Sequence, residues 1–573
     1  MPGRVRQFTA MLGCAVLVAA TGEFVAGCRR DTVAERDTLV AIASPPIPDT
    51  VQEVTNPFRG QFEDLMQPLF PQGNPADKRF PAWPKSQDAS IRLPWRQLQP
   101  TDPSTLPRNA SDDQKYDFSV IDQALAQTAA RGARLILQVF SYNSCCNASY
   151  PANTNIEIPD WLRALPGSST SYPGPPTDSA APRITQVVPN WNDPNYLAGF
   201  EQLLAALGRR YDKDERLSVF EFSGYGDFSE NHISYIRDAL GAPGPTQEDS
   251  IKALGYYAVF RDQTIDLASI GRLVVAHTRA FPHTQMDVTA NNPEILREML
   301  VDPNVTTKLD TPVAIRTNAL GSYSPMPDWA TVPYSQYVIQ KNPFLAQLRK
   351  RFESAPVIAE WAYIKNGRVR DVPSFYQQAL RDVVQYHVSM TSSVNFPDSG
   401  STTPMDPKLY LQWAQANVMA GYRYSVEARA GSESVNGGAA TIAANWTNYG
   451  SAASFEKWVP GYRLIDFSGA VARTLPSHVL LKNIVHEEPA DSSDSQPVPA
   501  STNETVHIDL AGLPPGHYTL QASVVWQQHK PDGIHAVNYP PMQLARDGRD
   551  SSGWYPIATL DIPRSNLKAV SPQ

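Results

Sequence analysis

The strongest constraint on this chain is an alternation. Between residues 51 and 420, short apolar runs of strand length recur, separated by segments with helical periodicity. Eight runs have strand character: 58–62, 91–95, 134–141, 217–222, 285–289, 313–317, 356–360 and 392–396. Helices are expected between several of them. Residues 119–131 place Ile121, Leu125 and Thr128 on one side, with Gly132 as a stop. Residues 196–210 do the same with Leu197, Phe200, Leu203, Leu204 and Leu207, and 375–388 follow the seventh run. Alternation of this kind implies a parallel sheet. Eight repeats predict an α/β fold, a (β/α)8 barrel with long insertions, over residues 51–420. The competing doubly wound sheet carries a glycine-rich first turn when it binds a dinucleotide, and none is present. The chain holds 51 prolines with no collagen period, which reads as long ordered loops. One such stretch, 142–191, follows the third run, and a loop of that length is usually functional or disordered.

After Gly421 the texture changes to short strand-like runs at 422–428, 440–446, 462–468, 477–481, 505–510 and 518–526. Turns such as Pro514-Pro515-Gly516 separate them, so residues 421–573 are expected to form a β-sandwich. The N-terminus reads differently again. Arg4 and Arg6 precede an apolar run from 8 to 20, the pattern of a signal peptide. The run ends in Val25-Ala26-Gly27-Cys28, which resembles a bacterial lipobox. That resemblance implies removal of residues 1–27, lipidation of Cys28 and a tether over 28–50. Arg29 beside Cys28, by the same analogy, implies the outer membrane or cell surface within the cell envelope; the alternative is a plain secretory signal, with a periplasmic or secreted protein. An exported chain meets oxidising conditions. The adjacent Cys145 and Cys146 are open to a vicinal disulfide or two thiols, and neither staples distant segments.

Several functions lose their usual signals. A net charge of −8 lacks the basic footprint of a nucleic-acid binder. Walker, GxGxxG, HExxH and GxSxG motifs are absent. The ten histidines show no metal spacing, so neither a metal nor a cofactor is expected.

In a barrel, chemistry sits at the C-terminal strand ends. Two glutamates stand out there. Glu360 ends the seventh run and is followed by Trp361. Glu230 follows the fourth run in Gly224-Tyr225-Gly226-Asp227-Phe228-Ser229-Glu230-Asn231-His232, where glycines permit sharp bends. Two carboxylates across a pocket are what glycosidic cleavage needs: one protonates the leaving oxygen, and the other attacks or activates water. Other residues are candidates for binding substrate. Trp161, Trp191 and Trp361 offer stacking faces or ordinary packing. Arg59, Arg96 and Arg316 offer contacts to hydroxyls or structural ion pairs. His232 is placed to orient Glu230, and Asn395 and Asp398 lie by the eighth run.

Trp95-Arg96-Gln97-Leu98, Tyr116-Asp117-Phe118-Ser119 and Pro159-Asp160-Trp161-Leu162 resemble segments of β-galactosidase-type TIM-barrel glycoside hydrolases. Asn56-Pro57-Phe58-Arg59-Gly60, the segment 224–232 and Gly421-Tyr422-Arg423 are similar to bacterial secreted proteins read as glycosidase barrels with a C-terminal β-domain. The resemblance spans most of 51–565. It implies a retaining glycosidase acting on an oligo- or polysaccharide, with Glu230 as acid/base and Glu360 as nucleophile. The clan places Asn-Glu directly at the end of the fourth strand, whereas Glu230 lies eight residues past Phe222. Glu221 and Asp227 therefore stay open as rivals. A non-catalytic glycan-binding or surface-assembly lipoprotein on the same fold is the alternative, and a polysaccharide lyase or esterase is a third reading.

Overall fold

The computed structural model describes residues 39–41, 54–65, 88–143, 154–174, 184–231, 265–290, 292–320, 348, 350–361, 371–392, 407–429, 434–436, 438–486 and 497–563. Eight parallel strands close into a barrel. They are β1 Gly60–Asp64, β2 Asp88–Pro94, β3 Arg134–Phe140, β4 Leu217–Glu221, β5 Gln285–Thr289, β6 Ala314–Leu320, β7 Val357–Trp361 and β8 Met390–Ser392. They follow one another around the wall in sequence order, and β8 closes onto β1 with Met390 opposite Gly60. All eight expected strands are found. The last sits earlier than 392–396, and 393–396 lie outside the described residues.

Helices clad the wall: α1 Ser119–Ala130, α2 Pro194–Tyr211, α3 Leu267–Ala280, α4 Pro293–Val301, α5 Val372–Gln385 and α6 Pro407–Met419. Four of them start at an Asp or Asn whose side chain accepts from first-turn N–H groups: Asp193, Asp266, Asn292 and Asp371. The leucines of α2 are buried against the barrel, as their 3.6-residue period requires.

Strand alternation divides the barrel interior into two tiers. Phe62, Ile136, Val219, Ile358 and Met390 join Phe58 in an apolar plug. Two residues further along the same strands, on the same face, stand Asp64, Gln138, Glu221, Glu360 and Ser392, all buried. Arg92, Asp287 and Arg316 complete this upper tier from β2, β5 and β6. Their apolar neighbours Ile91, Leu93, Met286, Val288 and Ile315 belong to the outer core. Each strand thus contributes one inward polar side chain near its C-terminal end. Charges taken out of water cost several kcal/mol each unless compensated, so such a tier is a poor device for stability alone.

Beyond Gly421, two antiparallel sheets pack as a sandwich. One joins Tyr424–Ala428, Ala439–Asn448, Ser434–Asn436 and Ala500–Asp509. The other runs Leu39–Ala41, Tyr555–Ile562, Gly516–Trp526, Trp458–Asp466, Val471–Pro476. Trp446, Tyr462, Leu464, Ile508, Leu520 and Val524 lie in the core between them. Two expectations change here. Residues 477–481 are not a strand: Glu504 accepts from the Ser477 hydroxyl and the His478 N–H, which leaves the ladder without that amide. Residues 39–41, read as tether, form an edge strand beside Tyr555–Ile562.

The sandwich docks beneath the barrel, at the N-terminal strand ends. Arg134, at the start of β3, donates to Glu456 at 2.7 Å and to the Glu215 carbonyl at 2.9 Å, and the side chains of Arg134 and Glu456 are nearly inaccessible. Lys530 donates from its backbone to Glu215 Oε1 (2.7 Å), and from Nζ to the Asp214 carbonyl (2.7 Å) and Thr284 Oγ1 (2.9 Å). Burial pulls the Lys530 ammonium down to about 7. Arg59 sits at the same end, before β1. Its guanidinium donates to the carbonyls of Val54, Asn417, Val418, Ala420 and Tyr422. A cation at a helix C-terminus is favoured by the unsatisfied carbonyls there. Arg59, expected near the substrate, is therefore occupied with joining the chain at the opposite end of the barrel.

Candidate active site

The upper tier and the loop after β4 bring the two glutamates to one cation. Arg92 donates from Nη1 to Glu230 Oε1 at 3.2 Å, and from Nη2 to Glu360 Oε1. Arg316 donates to the same Glu360 oxygen and also meets Glu221. The result is an alternating chain: Glu221, Arg316, Glu360, Arg92, Glu230. Glu360 is nearly inaccessible, and two guanidinium groups compensate its charge. Glu230 and Arg92 keep more accessible surface, so they form the upper, cleft-side end of the chain. Glu221 and Arg316 lie at the deep end, almost without exposure. Asp287, level with Glu221 on the neighbouring strand, is fully buried, and neither of its oxygens accepts a hydrogen bond among the described residues. Burial pushes its carboxyl well above the usual range, against the pull of Arg92.

Glu230 owes its place to a constrained loop. Between Gly224 and Asn231 the backbone takes positive φ five times, at Gly224, Gly226, Phe228, Ser229 and Asn231. The last three are not glycine, and such residues cost of order 1–3 kcal/mol each unless their surroundings dictate them. The surroundings do. Phe228 N–H donates to the Tyr142 carbonyl at 2.9 Å. Ser229 Oγ accepts from Gly224 N–H and donates to the Val139 carbonyl. The Tyr196 hydroxyl donates to the Gly224 carbonyl at 2.7 Å. Asn231 Nδ2 reaches the Thr289 carbonyl on β5. His277 of α3 anchors the loop base, its Nε2 accepting from Ser223 N–H at 3.0 Å. Burial draws the His277 imidazole down to about 4, so it stays neutral and can accept there. Asp227 is buried inside this loop, and its carbonyl takes the Glu230 N–H.

The remaining candidates fall in several places. Arg316 is buried and contacts chain carboxylates. Arg96 pairs with the exposed Asp160 at 2.9 Å, outside the polar tier. The tryptophans are packing residues. Trp361 points outward from β7 onto Tyr376, and Trp191 is fully buried edge-on to Tyr225. Trp161 is half-buried against Trp95, with its N–H on the Gln99 carbonyl. Strand alternation alone turns Trp361 away once Glu360 points in. Cys28, Cys145, Cys146, His232, Asn395 and Asp398 lie outside the described residues. Arg92 and Asp287 were not foreseen. Their signal was the polar–apolar alternation in Asp88-Ala89-Ser90-Ile91-Arg92-Leu93 and Met286-Asp287-Val288. A groove of about 900 Å³ between α2 and α3, bordered by Glu201, Arg209 and Arg272, lies outside the wall, and neither glutamate borders it.

No known family profile matches the sequence, and no curated protein matches it. Solved structures similar in chain path include an endo-glycoceramidase II from Rhodococcus sp., 12% identical with TM-score 0.36, over 79% of this chain and 97% of that one. The endo-β-1,4-mannanase from Thermotoga petrophila is 10% identical with TM-score 0.33, over 82% and 96%. The catalytic domain of β-amylase from Paenibacillus polymyxa is 12% identical with TM-score 0.32, over 58% and 90%. The fold assignment rests on the strand pairing described above.

Proposed function

We propose that this protein is an exported, lipid-anchored glycoside hydrolase acting on an oligo- or polysaccharide. The observation that carries the reading is that Glu230 and Glu360 meet on one guanidinium at the C-terminal end of a closed parallel barrel. Glu360, compensated by two cations, suits an ionised nucleophile attacking the anomeric carbon. Glu230, more accessible and on a braced loop, suits the acid that protonates the leaving oxygen and then activates water. Arg92 lies between them and would bridge to whichever carboxylate carries charge. This division of roles is that of a retaining enzyme.

The test uses a panel of aryl glycosides and glycans, with release of reducing ends as readout. Glu360→Gln and Glu230→Gln are each expected to lower turnover by about 10³-fold or more while sugar binding persists. A 2-deoxy-2-fluoro glycoside should leave a covalent adduct on Glu360. An adduct elsewhere would reject the assignment. A second reading has its own support: both cations converge on Glu360 Oε1, the geometry of a locked structural ion pair. In a glycan-binding protein on this fold, binding would be measurable and no substrate in the panel would turn over.

A further inference from the structure

The register of the five-stranded sheet fixes which end of the molecule the N-terminal chain leaves from. Leu39 pairs with Leu560, Leu560 with Tyr518, and Tyr518 with Asp466. These residues form one row across the sheet. Trp458 and Trp526 form the row at the other end, next to Glu456 and Lys530, which hold the barrel. The chain therefore joins the sheet at the end remote from the barrel. From Trp458 to Asp466 the strand spans about 27 Å at 3.4 Å per residue.

The same remote end carries the most exposed large apolar side chain among the described residues. Phe467, at 87% exposure, tips the hairpin between Trp458–Asp466 and Val471–Pro476. Val471 beside it is also exposed. The hairpin is not slack: Asp466 Oδ1 accepts from the N–H groups of Ser468 and Ala470 and from the Ser468 hydroxyl. An aromatic ring held outward on a rigid turn is costly in water and gains free energy on entering an apolar medium.

Cys28 precedes Leu39 by eleven residues, a leash of at most about 38 Å when fully extended. For the barrel mouth to face a bilayer that holds Cys28, the leash would have to pass the sandwich, about 27 Å, and then the barrel. The seven-residue strands of the barrel add roughly 20 Å. The leash is too short. It reaches the Phe467 row easily, since that row lies three strand spacings, about 14 Å, across the sheet from Leu39. Among the described residues no helix is long and apolar enough to cross a membrane. At this end Asp466, Asp509 and Asp561 outnumber Arg473, whose guanidinium is held on the Asp509 and Ala511 carbonyls, which points to insertion rather than charge attraction.

We infer that the remote end of the sandwich is a bilayer-contacting surface, with Phe467 entering the lipid and the barrel mouth directed away from the membrane. The inference rests on the lipid-anchor reading above. Two measurements keep the two apart. The intact mass of the exported protein reads whether Cys28 is acylated; an unmodified Cys28 removes the anchor itself. Separately, the chain from residue 28 onward, with a hexahistidine tag at its N-terminus, is held on phosphatidylcholine vesicles by nickel-chelating lipid. Amide hydrogen exchange is compared with the imidazole-released protein. Amides 466–471 should exchange roughly tenfold more slowly on vesicles, and Phe467→Asp should abolish the slowing while the protein stays tethered. Unchanged exchange at 466–471, or slowing at barrel segments such as 95–105, would overturn the inference.

Discussion

His277 makes the loop that carries Glu230 sensitive to acid, and the size of the effect can be worked out. Its Nδ1 faces the Leu273 carbonyl at 2.7 Å and its Nε2 accepts from Ser223 N–H. Phe222 stacks on the ring at 4.4 Å. Burial holds the group at about 4, against 6.5 in an unfolded chain. The unfolded state therefore binds more protons between these values. The stability His277 contributes is present above pH 6.5 and is lost as pH falls towards 4. The full difference is about 3 kcal/mol, of which about 2 kcal/mol is gone at pH 5. His277→Gln keeps an acceptor for Ser223 without the titration. Urea unfolding at pH 8, 6.5 and 5 should show the wild-type protein losing about 2 kcal/mol relative to the variant between pH 8 and 5. Other titrating groups, including His387, which burial also draws down to about 4, act alike in both proteins and cancel. Parallel pH profiles, within about 0.5 kcal/mol, would refute the reasoning. Any activity should fall over the same range in the wild-type protein more steeply than in the variant.

Other outcomes are expected. Arg134→Met leaves Glu456 buried and uncompensated, so unfolding should become about 3–5 kcal/mol easier; adding Glu456→Met should recover much of that in a denaturant titration. Lys530, held at about 7 by burial, contributes a cost that shrinks as pH rises from 7 towards 10.5. Lys530→Met should flatten this rise, so the wild-type protein gains about 3 kcal/mol relative to the variant between pH 7 and 9.5 in chemical denaturation. Gly421, with φ of 80°, would bring a Cβ within 2.5 Å of Arg59 Cβ and 2.7 Å of the Ser389 carbonyl. Gly421→Ala should cost about 3 kcal/mol, measured as a lower thermal midpoint.

The barrel was legible because β3, β4 and β7 are short, largely apolar runs, and burial on both faces keeps such runs visible. Helices α3, α4 and α6 were missed; of these, α6 has an apolar pattern broken by Gln412, Gln415 and Asn417. Glu360 was legible because it ends an otherwise apolar run. Arg92 was hidden because a lone cation inside a strand reads as an exposed residue until closure turns that face inward. Arg59 misled for the converse reason: it stands at a strand end, and nothing local says which end of the barrel its guanidinium serves. The sandwich strands at Val471–Pro476 and Tyr555–Ile562 carry proline and charge, so packing across the sheet decided them.

The five carbonyls gathered by Arg59 come from the segment before β1, the close of α6 and the first residues of the sandwich. One side chain thus fastens the start of the barrel, its last helix and the next domain together. The apparent boundary at residue 421 is for that reason a poor place to cut. A fragment ending at 420 would lose the Tyr422 acceptor, the Arg134–Glu456 pair and the Lys530 plug at once, and would expose Arg134 and Asp88 beneath the barrel floor. Two folds that look separable in outline share a floor, and they are expected to be made, and to be lost, as one piece.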